Sequence, residues 1–262
     1  MATGCGWDLL VFGTSANRAA LTEVALVLGE DLFTADGVAG TGTRVYPREN
    51  GIVSGIGVVS ETAAAVEWRF HKTTDANYAR STHFTRLQTA AYAGGPAIAK
   101  LNYPVVSGDS LTADILNAGA VLDVVSVFIG KGKAASFVEG FPPELPTGAI
   151  PVTFTATMTH VADSWSPIGQ CVLDNYNLKR DKNYKIVGMS AHSATGCAHR
   201  LRFYSGPDVG NAPGILGGDT SAIANVCFGD FGTFSGLTGV GIQTVAVGAD
   251  ATTCGTLWIV EQ

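Results

Sequence analysis

Residues 50–70 read NGIVSGIGVVSETAAAVEWRF, and 133 positions later residues 183–203 read NYKIVGMSAHSATGCAHRLRF. Set side by side without a gap, Asn50, Gly55, Ser60, Thr62, Ala65, Arg69 and Phe70 meet Asn183, Gly188, Ser193, Thr195, Ala198, Arg202 and Phe203. Ordinary residue frequencies would supply about one or two such identities over this length. Val53 with Ile186, Ile56 with Met189 and Trp68 with Leu201 add conservative pairs. The offset is close to half of a 262-residue chain, and it also places Ala113 on Ala246 and Ile129 on Gln262. The reading is one module present twice.

Each copy of the phrase has the chemistry of two strands around a turn. GIVSGIGVVS and YKIVGMSAHS are rich in β-branched and small residues, and ETAA and ATGC supply the turn. In AVEWRF, Val66, Trp68 and Phe70 alternate with Glu67 and Arg69. In HRLRF, Leu201 and Phe203 point inward while Arg200 and Arg202 point outward. Further strands are expected at 7–13, 124–130, 151–161, 224–233, 242–248 and 256–262, separated by Gly, Asp, Asn and Pro breakers. Three stretches are helix candidates. SANRAALTEVALVLGEDL (15–32) spaces Leu21, Val24, Ala25 and Leu28 helically but also alternates, so it is read as a strand after a short helix, with its repeat partner near TATMTHVAD. TRLQTAAYA (85–93) and SLTADILNAG (110–119) are the other two.

Prolines divide the chain. GKGKAASFVEGFPPELPTGAIP (130–151) contains Pro142, Pro143 and Pro146, which cannot donate to a sheet ladder. The expected organisation is an all-β fold of two tandem jelly-roll barrels (β-sandwiches) related by internal duplication, each closing its own core, with a few short helices. The first barrel covers 1–135, a Pro-containing linker 136–150, and the second barrel 151–262. About eight strands per half match the size of a jelly roll.

Charged residues make up only 15% of the chain, against roughly 25% in an ordinary soluble domain. Thr, Ser, Ala and Gly fill the gap, which points to an exterior finished by other subunits. The net charge of −6 and the scattered Lys and Arg give no basic face, so no direct nucleic-acid binding is expected. The five cysteines, Cys5, Cys171, Cys197, Cys227 and Cys254, show no CxxC spacing and read as reduced, buried residues. Cys197–Cys227 and Cys227–Cys254 are the pairings that sequence leaves open. MATGCGWDLL shows neither a basic segment nor a long apolar one, so no secretory leader is expected and synthesis in the cytoplasm is implied.

No catalytic constellation emerges. GTSAN, VSGDS and FSGLTG lack the GxSxG frame of a hydrolase elbow, and GVAGTGTR lacks the GK[ST] of a phosphate loop. His192, Cys197 and His199 are zinc-type ligands lying close in sequence, but a structural site takes four. His71 and His83 have no carboxylate cluster beside them. Asp208 with Asn211 could offer oxygen to calcium or form an ordinary Asx turn. Catalytic, cofactor-binding and metal residues are therefore all expected to be absent, and the chain is read as a non-enzyme.

The paired phrases, together with YPVVSGDSLTADIL (103–116), which is similar to a barrel-rim turn, resemble the double jelly-roll major capsid proteins of tailless icosahedral bacterial and archaeal viruses of the internal-membrane type. The resemblance implies a homotrimer with six barrels in a pseudo-hexagonal block, a capsid lattice, and location in the virion after synthesis in the host cytoplasm. It further implies contacts with penton or minor capsid proteins and an underlying membrane, and loops such as 71–100 and 204–223 forming the outer towers or the contacts between blocks. Two other readings remain open on the residues: a carbohydrate-binding or adhesive surface protein with tandem β-sandwiches, and a filament or tail-tube subunit.

Overall fold

The computed structural model describes residues 7–14, 18–23, 38–41, 44–47, 50–60, 65–72, 84–88, 97–117, 123–130, 147–160, 165–174, 176–206, 208–209, 213–216, 227–246, 249 and 251–262. All regular structure among them is strand. The first half contributes β1 (Trp7–Thr14), β2 (Arg18–Glu23), β3 (Val38–Thr41), β4 (Arg44–Pro47), β5 (Gly51–Ser60), β6 (Ala65–Lys72), β7 (Phe84–Gln88), β8 (Ala97–Val105), β9 (Leu111–Asn117) and β10 (Asp123–Gly130). The second contributes β11 (Ile150–Thr157), β12 (Gly169–Gln170), β13 (Val172–Leu173), β14 (Asn183–His192), β15 (Gly196–Phe203), β16 (Gly214–Leu216), β17 (Cys227–Ser235), β18 (Val240–Ala246) and β19 (Thr252–Glu261).

The expected short helices are not there among the described residues. Candidates 85–93 and 110–119 overlap β7 and β9 instead, and 15–32 holds β2, in line with its reading as a strand; 15–17, 24–32, 89–93 and 118–119 lie outside the described residues. In β9, Leu111, Ala113 and Ile115 are fully buried, and so is Thr112 on the other face, with Asp114 nearly so. A strand covered on both faces lacks the clean apolar–polar alternation by which strands are recognised, so its spacing passes for helical.

Sheet order is the informative feature. In the first half β1-β10-β5-β8 form one sheet, and β9, β6 and β7 run consecutively in a second, which β2 joins alongside β9 and the β3–β4 hairpin extends. In the second half β11-β19-β14-β17 form one sheet, with β13 added outside β11, and β12-β18-β15-β16 form the other. Without the β3–β4 hairpin and β13, each half has eight strands and the two halves share one strand order, first-eighth-third-sixth facing second-seventh-fourth-fifth when counted within each half. This is the arrangement of a jelly roll.

Register shows how far the sequence offset reaches. β5 pairs with β10 through Ile56 and Val127, and β14 pairs with β19 through Met189 and Leu257. Ile56 and Met189 are 133 apart, but Val127 and Leu257 are closer, and Ile129 takes the place of Ile259, not of Gln262. Phe70 lies opposite Ala113 and Phe203 opposite Val240, so Ala113 corresponds to Val240, not to Ala246. The offset holds only across the β5–β6 hairpin and its copy, where no loop has changed length. By the same register β11 stands in the place of β1, so TATMTHVAD is not the partner of 15–32.

The two cores are not separate, contrary to expectation. Buried side chains form one cluster running through both halves. The join is β1, where Leu9, Leu10, Val11 and Phe12 all have 0% exposure. Alternation sends two of these residues into the first sandwich and two out of it. The outward side meets the second half at β16, where a Cβ built on Gly214 would lie 2.7 Å from Leu9 Cδ2. That Cβ would also sit 2.9 Å from Arg200 Cα and press on the His199 carbonyl. Only a residue without a side chain allows this approach. Gly214→Ala should lower the unfolding free energy by about 1–3 kcal/mol, the cost of overpacking a closed contact. Denaturant unfolding measures the loss.

Candidate assembly interface

The second sandwich has a polar interior at one end. The His199 imidazole Nδ1 lies 2.9 Å from Thr244 Oγ1, which lies 2.8 Å from Thr253 Oγ1, itself 3.2 Å from His160 Nε2. His199 and Thr244 come from β15 and β18, and Thr253 from β19, so the chain of contacts ties the two sheets together. All four side chains are buried. Burial, together with the neighbouring His160 and His192, lowers the His199 pKa from 6.5 to about 3 and holds the ring neutral.

A second polar group lies on the outer side of the same sheet. Arg200 is fully buried, its guanidinium 3.7 Å from the centre of the Trp165 ring and its Nε donating to Gln243 Oε1 at 3.2 Å. Gln243 Nε2 donates to the Ser166 carbonyl at 2.7 Å, and the Thr244 N–H donates to Ser166 Oγ at 3.0 Å. Arg200 therefore points out of the sandwich as its alternation predicts, yet it is covered by residues 165–166. The cation–π stack and the amide offset part of the cost of burying the charge.

These contacts reassign the metal candidates. His199 is spent on Thr244, and no group of three His, Cys, Asp or Glu suited to a metal occurs among the described residues. Asp208 is buried and accepts the Thr233 N–H at 2.6 Å, which ties its loop to β17; Asn211 and His83 lie outside the described residues. Cys171 and Cys254 are free thiols. Burial pushes the Cys171 thiol far up, whereas Cys254 is exposed, which corrects its reading as buried and removes the Cys227–Cys254 pairing. The polar cluster was missed from sequence. Its one legible signal was that His199, Leu201 and Phe203 alternate on a single, inward face.

The outer side of the β13-β11-β19-β14 sheet is a different surface. Along β11, Val152, Phe154 and Ala156 are buried while Thr153 and Thr157 are exposed and Thr155 is half-buried. Register extends these outward positions across the sheet in rows, which are open at β13 and β11, half-buried at Thr256 and Trp258 of β19, and buried at Ser190 and Gly188 of β14. Val172, Thr155, Cys254 and His192 form one, Thr153, Thr256 and Ser190 the next, and Pro151, Trp258 and Gly188 a third. None of these residues is Asp, Glu, Lys or Arg. Val172 is 62% exposed. The nearest acid, Asp174, sits at the rim, where it accepts the Thr155 hydroxyl at 3.3 Å. An open sheet face normally carries Lys and Glu; here it carries Thr, which can be covered without stranding an ion. β13 occupies the sheet edge, so a partner would meet the face and not the ladder.

No protein-family model and no curated protein matches the chain. Among solved structures it is similar to the crystal structure of the STIV MCP, with 10% identity, a TM-score of 0.25, and coverage of 95% of this chain and 96% of that one. A second is the infectious bursal disease virus VP2 subviral particle, with 11% identity, a TM-score of 0.19, and coverage of 99% and 69%. Superpositions this loose carry no weight beside the strand order.

The buried histidine has a measurable consequence. Its folded pKa lies below its ordinary 6.5, so the unfolded chain takes up a proton that the folded one refuses. Stability from this group is complete above 6.5 and declines as pH falls toward about 3, by at most about 1.4 kcal/mol per pH unit. His199→Gln should make the acid loss shallower across that window, as read by chemical unfolding at a series of pH values.

Proposed function

We propose that the chain is a structural protein that builds a shell, a viral major capsid protein assembling as pseudo-hexameric trimers into an icosahedral capsid. One observation carries the reading: two sandwiches of the same strand order in a single chain, sealed to each other through β1 and β16. The shared order supports internal duplication, with barrels at 1–135 and 151–262 and the Pro-containing linker at 136–150. A chain that already joins two like barrels side by side needs only to repeat that contact between molecules to make a six-barrel block. The low charge content and the threonine-rich open face support an exterior covered by sister chains.

In this role the protein has no reaction to catalyse and uses no cofactor. Its partners are itself, penton or minor capsid proteins and an underlying membrane, and its location is the virion. Segments 71–100 and 204–223 each hold a strand, β7 and β16, and the residues flanking those strands are the candidates for outer towers or contacts between blocks.

Light scattering coupled to size exclusion should show a trimer, and negative-stain images should show closed particles or hexagonal blocks. A protein that stays monomeric at high concentration overturns the proposal, and images of tubes favour a filament subunit instead.

A further inference from the structure

The geometry points to the open face of β11 and β13 as the surface by which one copy binds the next, and to the β7 edge of the neighbour's first sandwich as its occupant. This inference rests on the assembly reading and goes beyond it by naming the two surfaces.

The argument starts from the contact the chain makes with itself. The outward side of β1, with Leu9 at 0% exposure, is closed by β16 of the second sandwich. Register places β11 in the second sandwich where β1 stands in the first: Leu10 pairs with Val127 as Val152 pairs with Leu257. Sheet order likewise places β7 where β16 stands. Within one chain, then, a first strand meets a fifth strand. The remaining first strand, β11, has its outward side open, and its counterpart fifth strand, β7, belongs to the other half. A single chain cannot satisfy both contacts, but a second copy can, because a head-to-tail contact repeats from molecule to molecule.

Chemistry agrees with the topology. The β1 side is apolar where its cover is permanent. The β11 side bears Thr153, Thr155 and the exposed Val172, which suit a surface that spends part of its life in water and part covered. Charges lie at its borders, Asp174 beside β13 and Lys185 at the start of β14. Cys254 lies on the same face and reports whether it is covered.

The test compares the full chain with the double variant Val172→Lys, Thr153→Lys by sedimentation velocity over a concentration series. Both positions are exposed, so the fold should survive, and an unchanged unfolding midpoint verifies it. The parent should associate, and the variant should associate about a hundredfold more weakly or not at all, because two ammonium groups would have to be desolvated. Labelling of Cys254 by a maleimide, read by peptide mass, should slow when the parent assembles. A variant that assembles like the parent, with Cys254 equally reactive throughout, overturns this interface and leaves the shell reading standing. A parent that never associates overturns both.

Discussion

The structure depends on one strand being buried on both sides. β1 belongs to the first sandwich by its hydrogen bonds to β10 and to the second by its outward side chains. Four consecutive residues with no exposure, Leu9 to Phe12, remove apolar area from water in two directions at once. That is why the buried clusters of the two halves run together. It also makes the pair of sandwiches a unit whose relative position is set by packing. Gly214 is the counterpart of this constraint, a place where the facing backbone must come close enough that a methyl group would collide.

The two first strands, β1 and β11, show how covering decides chemistry. Both pair with the last strand of their half and both send alternate residues into a core. Their outward sides differ, Leu and Val against Thr and Pro. Because the backbone geometry is shared, the difference reflects what lies against each strand: a permanent intramolecular partner in one case and an open surface in the other. Low overall charge, puzzling as a bulk property, becomes local when placed on the sheet rows of Thr153, Thr155 and Thr256.

The interior of the second sandwich is closed by polar contacts at one end, where His199, Thr244, Thr253 and His160 bridge the sheets. Such a network stabilises only when its members stay paired and neutral. It replaces the metal chemistry that a His-Cys-His run invites, because alternation turns His199 inward toward a hydroxyl.

The sequence by itself determined the strand-rich class and the paired strand–turn–strand phrases at 50–70 and 183–203. These are local matters: β-branched alternation and turn residues act within a few positions. It could not show that the repeat offset fails beyond the hairpin, since loop lengths change register without leaving a mark in the strands. Nor could it separate β9 from a helix or a covered Arg200 from a wet one, because burial is set by what packs on top. Which face of each sandwich is sealed and which stays open was decided only when β1 met β16, a contact between residues some two hundred positions apart.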